Sequence, residues 1–144
     1  MSDADWTLTI ARIVLGVIFF AHGAQKLLGW FGGAGLKTTV HDMRNVLGLP
    51  ALAAVIVAGA EFLGGAGLIV GLLSRVAALG ILVLMLAAIL MVHGRHGLFM
   101  DWFGNRSGHG VEYHLLAIAL ATVIIVDGAG AWSFDRLLYR WMGA

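Results

Sequence analysis

Four long runs of apolar residues determine what this chain can fold into. They cover residues 7–29, 51–73, 76–93 and 111–130. A helix needs about 20 mostly apolar residues to cross a hydrocarbon core about 30 Å thick. Because lipid offers no hydrogen bonds, each backbone group must be paired inside its own segment, which favours helix. The sequence therefore predicts an all-α membrane protein, a four-transmembrane-helix bundle that forms a single domain over residues 1–144.

The connections between these runs predict how the helices are arranged. Only residues 73–75 join the second and third runs, so these two helices should be antiparallel neighbours. The longer connections, residues 30–49 and 94–110, lie on the opposite side, and residues 36–47 suit a short amphipathic helix.

The C-terminal segment has the pattern of an interfacial helix. Ser133 is a suitable N-cap, and Asp135 falls in the first turn. Four apolar residues follow i, i+3, i+4, i+7 spacing: Phe134, Leu137, Leu138 and Trp141. The segment is thus expected to lie on the membrane surface. The alternative is a further turn packed on the bundle.

Composition excludes several classes of function. Hydrophobic residues make up 60% of the chain and charged residues 12%, which suits an integral membrane protein whose partner is the lipid bilayer. The net charge of +1 provides no basic field for nucleic acid. Because there is no cysteine, disulfides and thiolate-ligated iron–sulfur clusters are excluded, and no covalently bound cofactor is expected.

Ionisable residues inside the apolar runs are the candidates for function, because a charge in hydrocarbon costs about 2.5–3.5 kcal/mol on insertion scales. In the first run Arg12, Gly16, Phe19, Gly23 and Lys26 form one seam, which is expected to face the bundle.

Glu61 lies near the middle of the second run and needs a cationic partner. At about 1.5 Å of rise per residue, Arg12 and His22 both fall within reach of its depth. A structural Arg12–Glu61 ion pair is one prediction; a pairing with His22, in a pocket or a proton relay, is the other.

A candidate pocket comprises His22, Lys26, Glu61 and Glu112, because three of them fall at the end of the helices that bears the long connections. The alternatives are that Lys26 reaches water and that Glu112 favours a helix N-terminus. Four histidines, His93, His96, His109 and His114, suggest a metal site. Their spacing lacks the i, i+4 pair of metal-binding helices, so no metal is predicted.

Four segments together resemble the DoxX family over nearly the whole chain. They are Arg12 with LGVIFFAHGAQKLLGWFGG, then EFLGGAGLIVGLLSR from Glu61, GHGVEYHLL from Gly108, and SFD from Ser133. The resemblance implies a four-helix protein of a bacterial cytoplasmic (inner) membrane. It also implies similarity to membrane subunits of an archaeal thiosulfate:quinone oxidoreductase and a link to oxidative-stress complexes. The polar positions that the family shares match Arg12, His22, Lys26, Glu61, Arg75 and Glu112.

These observations lead to three functional hypotheses, and they leave open whether the chain is itself an enzyme. The first is a redox-linked subunit that binds a quinone in the bundle and takes electrons from a soluble or membrane oxidoreductase. The second is a non-enzymatic membrane anchor or assembly factor for a soluble oxidoreductase. The third is a small-molecule binder or transporter, which would need a homo-oligomer because the chain shows no inverted repeat.

Overall fold

Helices form all the regular secondary structure of the described residues, 3–143, in the computed structural model. They are α1 (Asp3–Leu28), α2 (Gly35–Leu47), α3 (Ala51–Val70), α4 (Ser74–Ala88), α5 (Glu112–Asp127) and α6 (Phe134–Met142). α4 continues through a π-helical turn, Ile89–His93, and a short 3-10 turn, Gly94–His96. The all-α prediction is confirmed over this part of the chain.

Three of the described helices are long and apolar enough to cross a membrane. They are Asp3–Leu28, Ala51–Val70 and α4 with its extension, Ser74–His96. These match the first three predicted spans within a few residues at each end. α5 has 16 residues and is shorter than the fourth predicted span, residues 111–130.

The buried core draws on α1, α3, α4 and α5. Its members are Leu15, Phe19, Leu68, Ala78, Ile81, Met85, Ala117, Ala121 and Ile124. Large apolar side chains also cover the outside; Ile10, Leu52 and Leu90, for example, are 62%, 70% and 85% exposed. Apolar surface on this scale marks a membrane or protein interface, and on helices of this length it is typical of a surface in contact with lipid.

Glycines allow α1 and α3 to approach each other at backbone distance. A Cβ atom on Gly23 would lie 2.3 Å from the Phe62 nitrogen, and one on Gly16 would lie 2.8 Å from the Ile69 nitrogen. A Cβ on Gly65 would lie 2.2 Å from the nitrogen of Phe20. Since later residues of α1 face earlier residues of α3, the two helices are antiparallel, and these contacts fix their register.

The segment after α5 ties α6 to the start of α4. The Asp135 carboxylate accepts hydrogen bonds from the backbone nitrogens of Leu73 (2.7 Å) and Ser74 (2.8 Å), which begin α4. Ser133 Oγ accepts from the Arg136 nitrogen at 3.2 Å and caps α6, as its sequence position predicts. Thus α6 is held at its N-terminal end by two sets of cap interactions.

Candidate functional site

A cavity of about 320 Å³ lies between the helices at the end that bears the long connections. Its lining comes from α1, α3, α4, the π-helical turn, the following loop and α5. The residues are Phe19, His22, Lys26, Glu61, Met85, Ala88, His93, Met100, His109, Tyr113 and His114. Three of the four predicted pocket residues, His22, Lys26 and Glu61, therefore border one cavity.

Lys26 and Glu61 form an ion pair across the α1–α3 contact. The Lys26 Nζ atom donates to both carboxylate oxygens of Glu61. The Glu61 side chain is 6% exposed and that of Lys26 is 29% exposed. The carboxylate is thus neutralised inside the protein, as a buried charge requires.

The predicted Arg12–Glu61 ion pair does not form, and neither does the alternative with His22. The register explains this: Gly23 faces Phe62, so Lys26 is level with Glu61, while Arg12 lies at the other end of the α1–α3 contact. His22 Nδ1 lies 3.1 Å from Gln25 Oε1 on its own helix.

Arg12 holds the ends of three helical segments together. It is fully buried, and its guanidinium donates to four backbone carbonyls. Nε bonds Ala129 O at 2.8 Å, and the terminal nitrogens bond the oxygens of Leu68, Ile69 and Trp132. These carbonyls lie at the end of α3 and in the segment between α5 and α6, so Arg12 connects α1 to both.

Tyr113 and His114 carry buried polar atoms that have no partner within residues 3–143. They are the Tyr113 hydroxyl and the Nδ1 atom of His114. A buried donor without a partner costs roughly 1–3 kcal/mol, so native proteins seldom keep one without a reason. Both residues border the cavity, which suggests that a polar atom of a ligand completes them.

Further imidazoles surround these two side chains. The His93 and His114 rings lie 4.2 Å apart between centroids, and the His22 ring lies 6.3 Å from that of Tyr113. His93 Nδ1 donates to the His109 carbonyl at 2.8 Å, which leaves Nε2 as an acceptor when the ring is neutral. Within residues 3–143, no group of three or more His, Asp or Glu side chains is arranged to hold a metal ion.

Glu112 lies beside the cavity and does not line it. Its Oε2 atom accepts a hydrogen bond from the Met100 nitrogen at 3.1 Å. Its own backbone nitrogen donates to Leu98 O at 2.8 Å. Glu112 therefore fastens the loop that carries Met100 and His109 to the start of α5.

A second, smaller cavity of about 170 Å³ adjoins the first. The two share Lys26, Glu61, Met85 and Ala88. The remaining lining of the smaller cavity is apolar and comes from α2, α3 and α4, with the residues that follow α2 and α4. These residues are Met43, Leu47, Leu49, Val57, Leu84, Ala87, Met91 and Val92. The ion pair thus stands between a polar cavity and an apolar one.

The family model described as DoxX matches residues 7–94, which is more than half of the chain. The chain belongs to the DoxX family. A Bacillus subtilis (strain 168) protein named "Putative oxidoreductase CatD" is 30% identical over 131 residues, or 91% of this chain and 86% of that protein. No solved structure matches the chain.

The DoxX match covers only part of the candidate site. His22, Lys26 and Glu61 lie within the matched residues, whereas His109, Tyr113 and His114 lie after them. Sequence reasoning did not assign Tyr113, His93 or His109 to the pocket. Tyr113 had one available signal, since it lies between Glu112 and His114 at the start of an apolar run.

Proposed function

We propose that this DoxX protein is a redox-linked membrane subunit that binds the ring of a quinone in the 320 Å³ cavity. One observation carries the proposal: two buried polar atoms without partners among residues 3–143, on Tyr113 and His114, border a cavity that also has apolar walls from Phe19, Met85, Ala88 and Met100. Small-molecule sites typically combine apolar walls with a few placed polar groups. The name of the B. subtilis relative, "Putative oxidoreductase CatD", agrees with a redox role.

The lining residues suit a quinone ring. Such a ring is flat and apolar, with carbonyl oxygens that accept hydrogen bonds. The Tyr113 hydroxyl and a ring N–H of His114 would donate to those oxygens, while Phe19, Met85 and Ala88 would contact the ring. The cavity volume lies at the lower end of the range of about 300–1,000 Å³ for ligand sites, which is enough for a ring without its tail.

Proton supply is the second requirement of such a site. A quinone takes up two electrons and two protons when it is reduced to the hydroquinone. The electrons would come from a partner oxidoreductase, soluble or in the membrane, because the sequence carries no redox cofactor motif. Lys26, Glu61 and the imidazoles of His22 and His93 would hold and transfer the protons.

The proposal places α5 in the membrane as a fourth crossing helix. Sixteen residues span about 24 Å at 1.5 Å per residue, and residues 111 and 128–130 extend the segment. Ala117, Ala121 and Ile124 pack into the core, while Leu116 and Val126 are 68% and 65% exposed and would face lipid. The membrane is proposed to be a bacterial cytoplasmic membrane, with α6 on its surface.

Two tyrosines in the chain allow a matched test. Protein purified in detergent is extracted for bound quinone and titrated with menaquinone and ubiquinone. Tyr113→Phe should weaken binding roughly five- to tenfold, because it removes one hydrogen bond worth about 1 kcal/mol. Tyr139→Phe, an exposed position on α6, should bind like the wild type. Absence of quinone in the extract together with no binding in the titration would contradict the proposal.

A non-enzymatic anchor is the second candidate, and the Arg12 network favours it. Arg12 is fully buried, and its guanidinium donates to backbone carbonyls of two separate segments. If the whole role is structural, Tyr113→Phe should leave cellular function intact at a normal amount of folded protein. Loss of function at a normal folded amount would favour the redox subunit.

A further inference from the structure

A groove of about 360 Å³ lies at the opposite end of the molecule, between the end of α3 and α6. It is separate from the quinone cavity and shares no residue with it. Its lining consists of Val70, Ala131, Trp132, Ser133, Phe134, Arg136, Leu137 and Arg140. The lining thus contains two cations and several apolar side chains, and no carboxylate.

One face of α6 forms the cationic wall. Ser133, Arg136, Leu137 and Arg140 follow i, i+3, i+4, i+7 spacing, so the two guanidinium groups lie one helical turn apart. Arg140 has no hydrogen bond or ion pair with residues 3–143. Arg136 forms an ion pair with Asp5 through one terminal nitrogen at 3.3 Å. Adjacent guanidinium groups are suited to bidentate binding of phosphate oxygens.

The groove is already formed without a ligand. The Asp135 nitrogen donates to the carbonyl of Gly71 at 2.8 Å, and the Asp135 carboxylate caps α4. The buried guanidinium of Arg12 holds the carbonyl of Trp132, which lies in the groove wall. Because these contacts fix α6 against the end of α3, little ordering is needed when a ligand binds.

An apolar stripe on α3 leads away from the groove. Val70 lines the groove, and Leu63 and Ile56 follow at intervals of seven residues, which puts all three on one side of the helix. They are 46%, 69% and 58% exposed. The stripe is about 21 Å long at 1.5 Å per residue, which is close to the length of an extended acyl chain.

We propose that this groove binds an anionic membrane phospholipid. Its phosphodiester lies between Arg136 and Arg140, and one acyl chain follows the stripe from Val70 to Ile56. The two observations point to a lipid and not to a free phosphate ester. Paired guanidinium groups account for the phosphate, whereas the apolar walls and the stripe on a membrane-spanning helix require a chain. The absence of a carboxylate from the lining favours a headgroup with net negative charge over a zwitterionic one.

Wild-type protein with three ligands gives the first test. Delipidated protein is titrated with phosphatidylglycerol, with phosphatidylcholine of the same chains, and with glycerol phosphate, and native mass spectrometry records the bound species. We expect phosphatidylglycerol to bind roughly fivefold tighter than phosphatidylcholine, which corresponds to about one effective basic contact. Glycerol phosphate should not bind at the same concentrations. Equal binding of the two lipids, or binding of glycerol phosphate as tight as that of phosphatidylglycerol, would overturn the proposal.

A matched pair of variants gives the second test. Arg140→Gln should lower the affinity for phosphatidylglycerol to that for phosphatidylcholine. Arg44→Gln, an exposed position on α2 at the other end of the molecule, should not change it. An unchanged affinity in Arg140→Gln, or an equal loss in both variants, would overturn the assignment of the site. The comparison of ligands on the wild type decides the question even if Arg140→Gln does not fold.

Discussion

The ammonium group of Lys26 contacts both carboxylate oxygens of Glu61, 35 residues further along the chain. The pair joins α1 to α3 at the level where a polar cavity meets an apolar one. The attraction between the two charges offsets the free energy needed to remove each of them from water. If one charge is removed, the other is still buried and its desolvation is no longer offset. The pair is therefore both a structural contact and a wall of the proposed quinone site.

Lys26→Met should destabilise the protein by roughly 3 kcal/mol, because Glu61 is then buried without a partner. The double variant Lys26→Met/Glu61→Gln should lose less stability than the sum of its two single variants. Unfolding in detergent of the wild type, both single variants and the double variant measures this coupling. Lys37→Met, at an exposed position on α2, is the matched control and should change stability little. Strict additivity of the two single effects would contradict the pairing.

Arg12→Gln should lower the free energy of unfolding by at least about 3 kcal/mol, since several charge-assisted hydrogen bonds to buried carbonyls are lost at once. The segment 128–133 should also become more sensitive to protease, because Arg12 no longer holds its carbonyls. Arg75→Gln is the control: Arg75 is exposed and donates to Val126 O at 3.1 Å, so its loss should cost no more than about 1 kcal/mol. Equal stability losses in the two variants would argue against the proposed role of Arg12.

Hydropathy located the first three membrane helices because lipid leaves the backbone no alternative to helix. The partner of Glu61 could not be found in the same way. Depth along the membrane placed Arg12 and His22 within reach of Glu61. The pairing depends, however, on which residues of α3 the glycines of α1 contact. Gly23 faces Phe62, and this contact selects Lys26. The register of two helices depends on how their surfaces pack, so it cannot be predicted from the sequence of either helix alone.

Apart from His22, the histidines that line the cavity could not be predicted from the sequence, for a different reason. His93 lies in a π-helical turn, and His109 lies in a loop whose course is fixed by hydrogen bonds such as Val111 N to Gly97 O, at 3.1 Å. Apolar periodicity carries no information about either feature. The histidines were visible in the sequence, but their spacing argued against a metal site and indicated no other role, whereas His93, His109 and His114 border the cavity.

Two glycines six residues apart on α3 should respond in opposite ways to alanine. At Gly65 the added Cβ would lie 2.2 Å from a backbone nitrogen of α1, so Gly65→Ala should cost roughly 1–3 kcal/mol or more as the helices are forced apart. At Gly59 nothing lies within 4 Å, so Gly59→Ala should be neutral or stabilise by up to about 1 kcal/mol. Thermal unfolding in the same detergent compares them. A similar response at both positions would mean that α1 and α3 do not approach as described.

The last prediction rests on the proposed quinone site and concerns the tail of the ligand. The small apolar cavity adjoins the ring cavity across Met85 and Ala88, which makes it the expected exit for an isoprenoid tail. Lipid solvates a tail as well as leucine side chains do, so this exit need not raise affinity. The small cavity needs only to be open for the tail to pass. A side chain that fills this cavity should therefore exclude the tail sterically.

Ala87→Phe places a ring in the small cavity without altering a residue that lines the larger one. It should weaken binding of a long-tailed menaquinone at least roughly tenfold, which corresponds to an overpacking cost of about 1–3 kcal/mol. It should leave menadione, which has the same ring and no tail, unchanged. Ala119→Phe, on the exposed face of α5, is the matched control and should affect neither ligand. If the wild type binds neither compound, the quinone proposal itself fails. If Ala87→Phe binds both as the wild type does, the ring site stands and the tail leaves by another route.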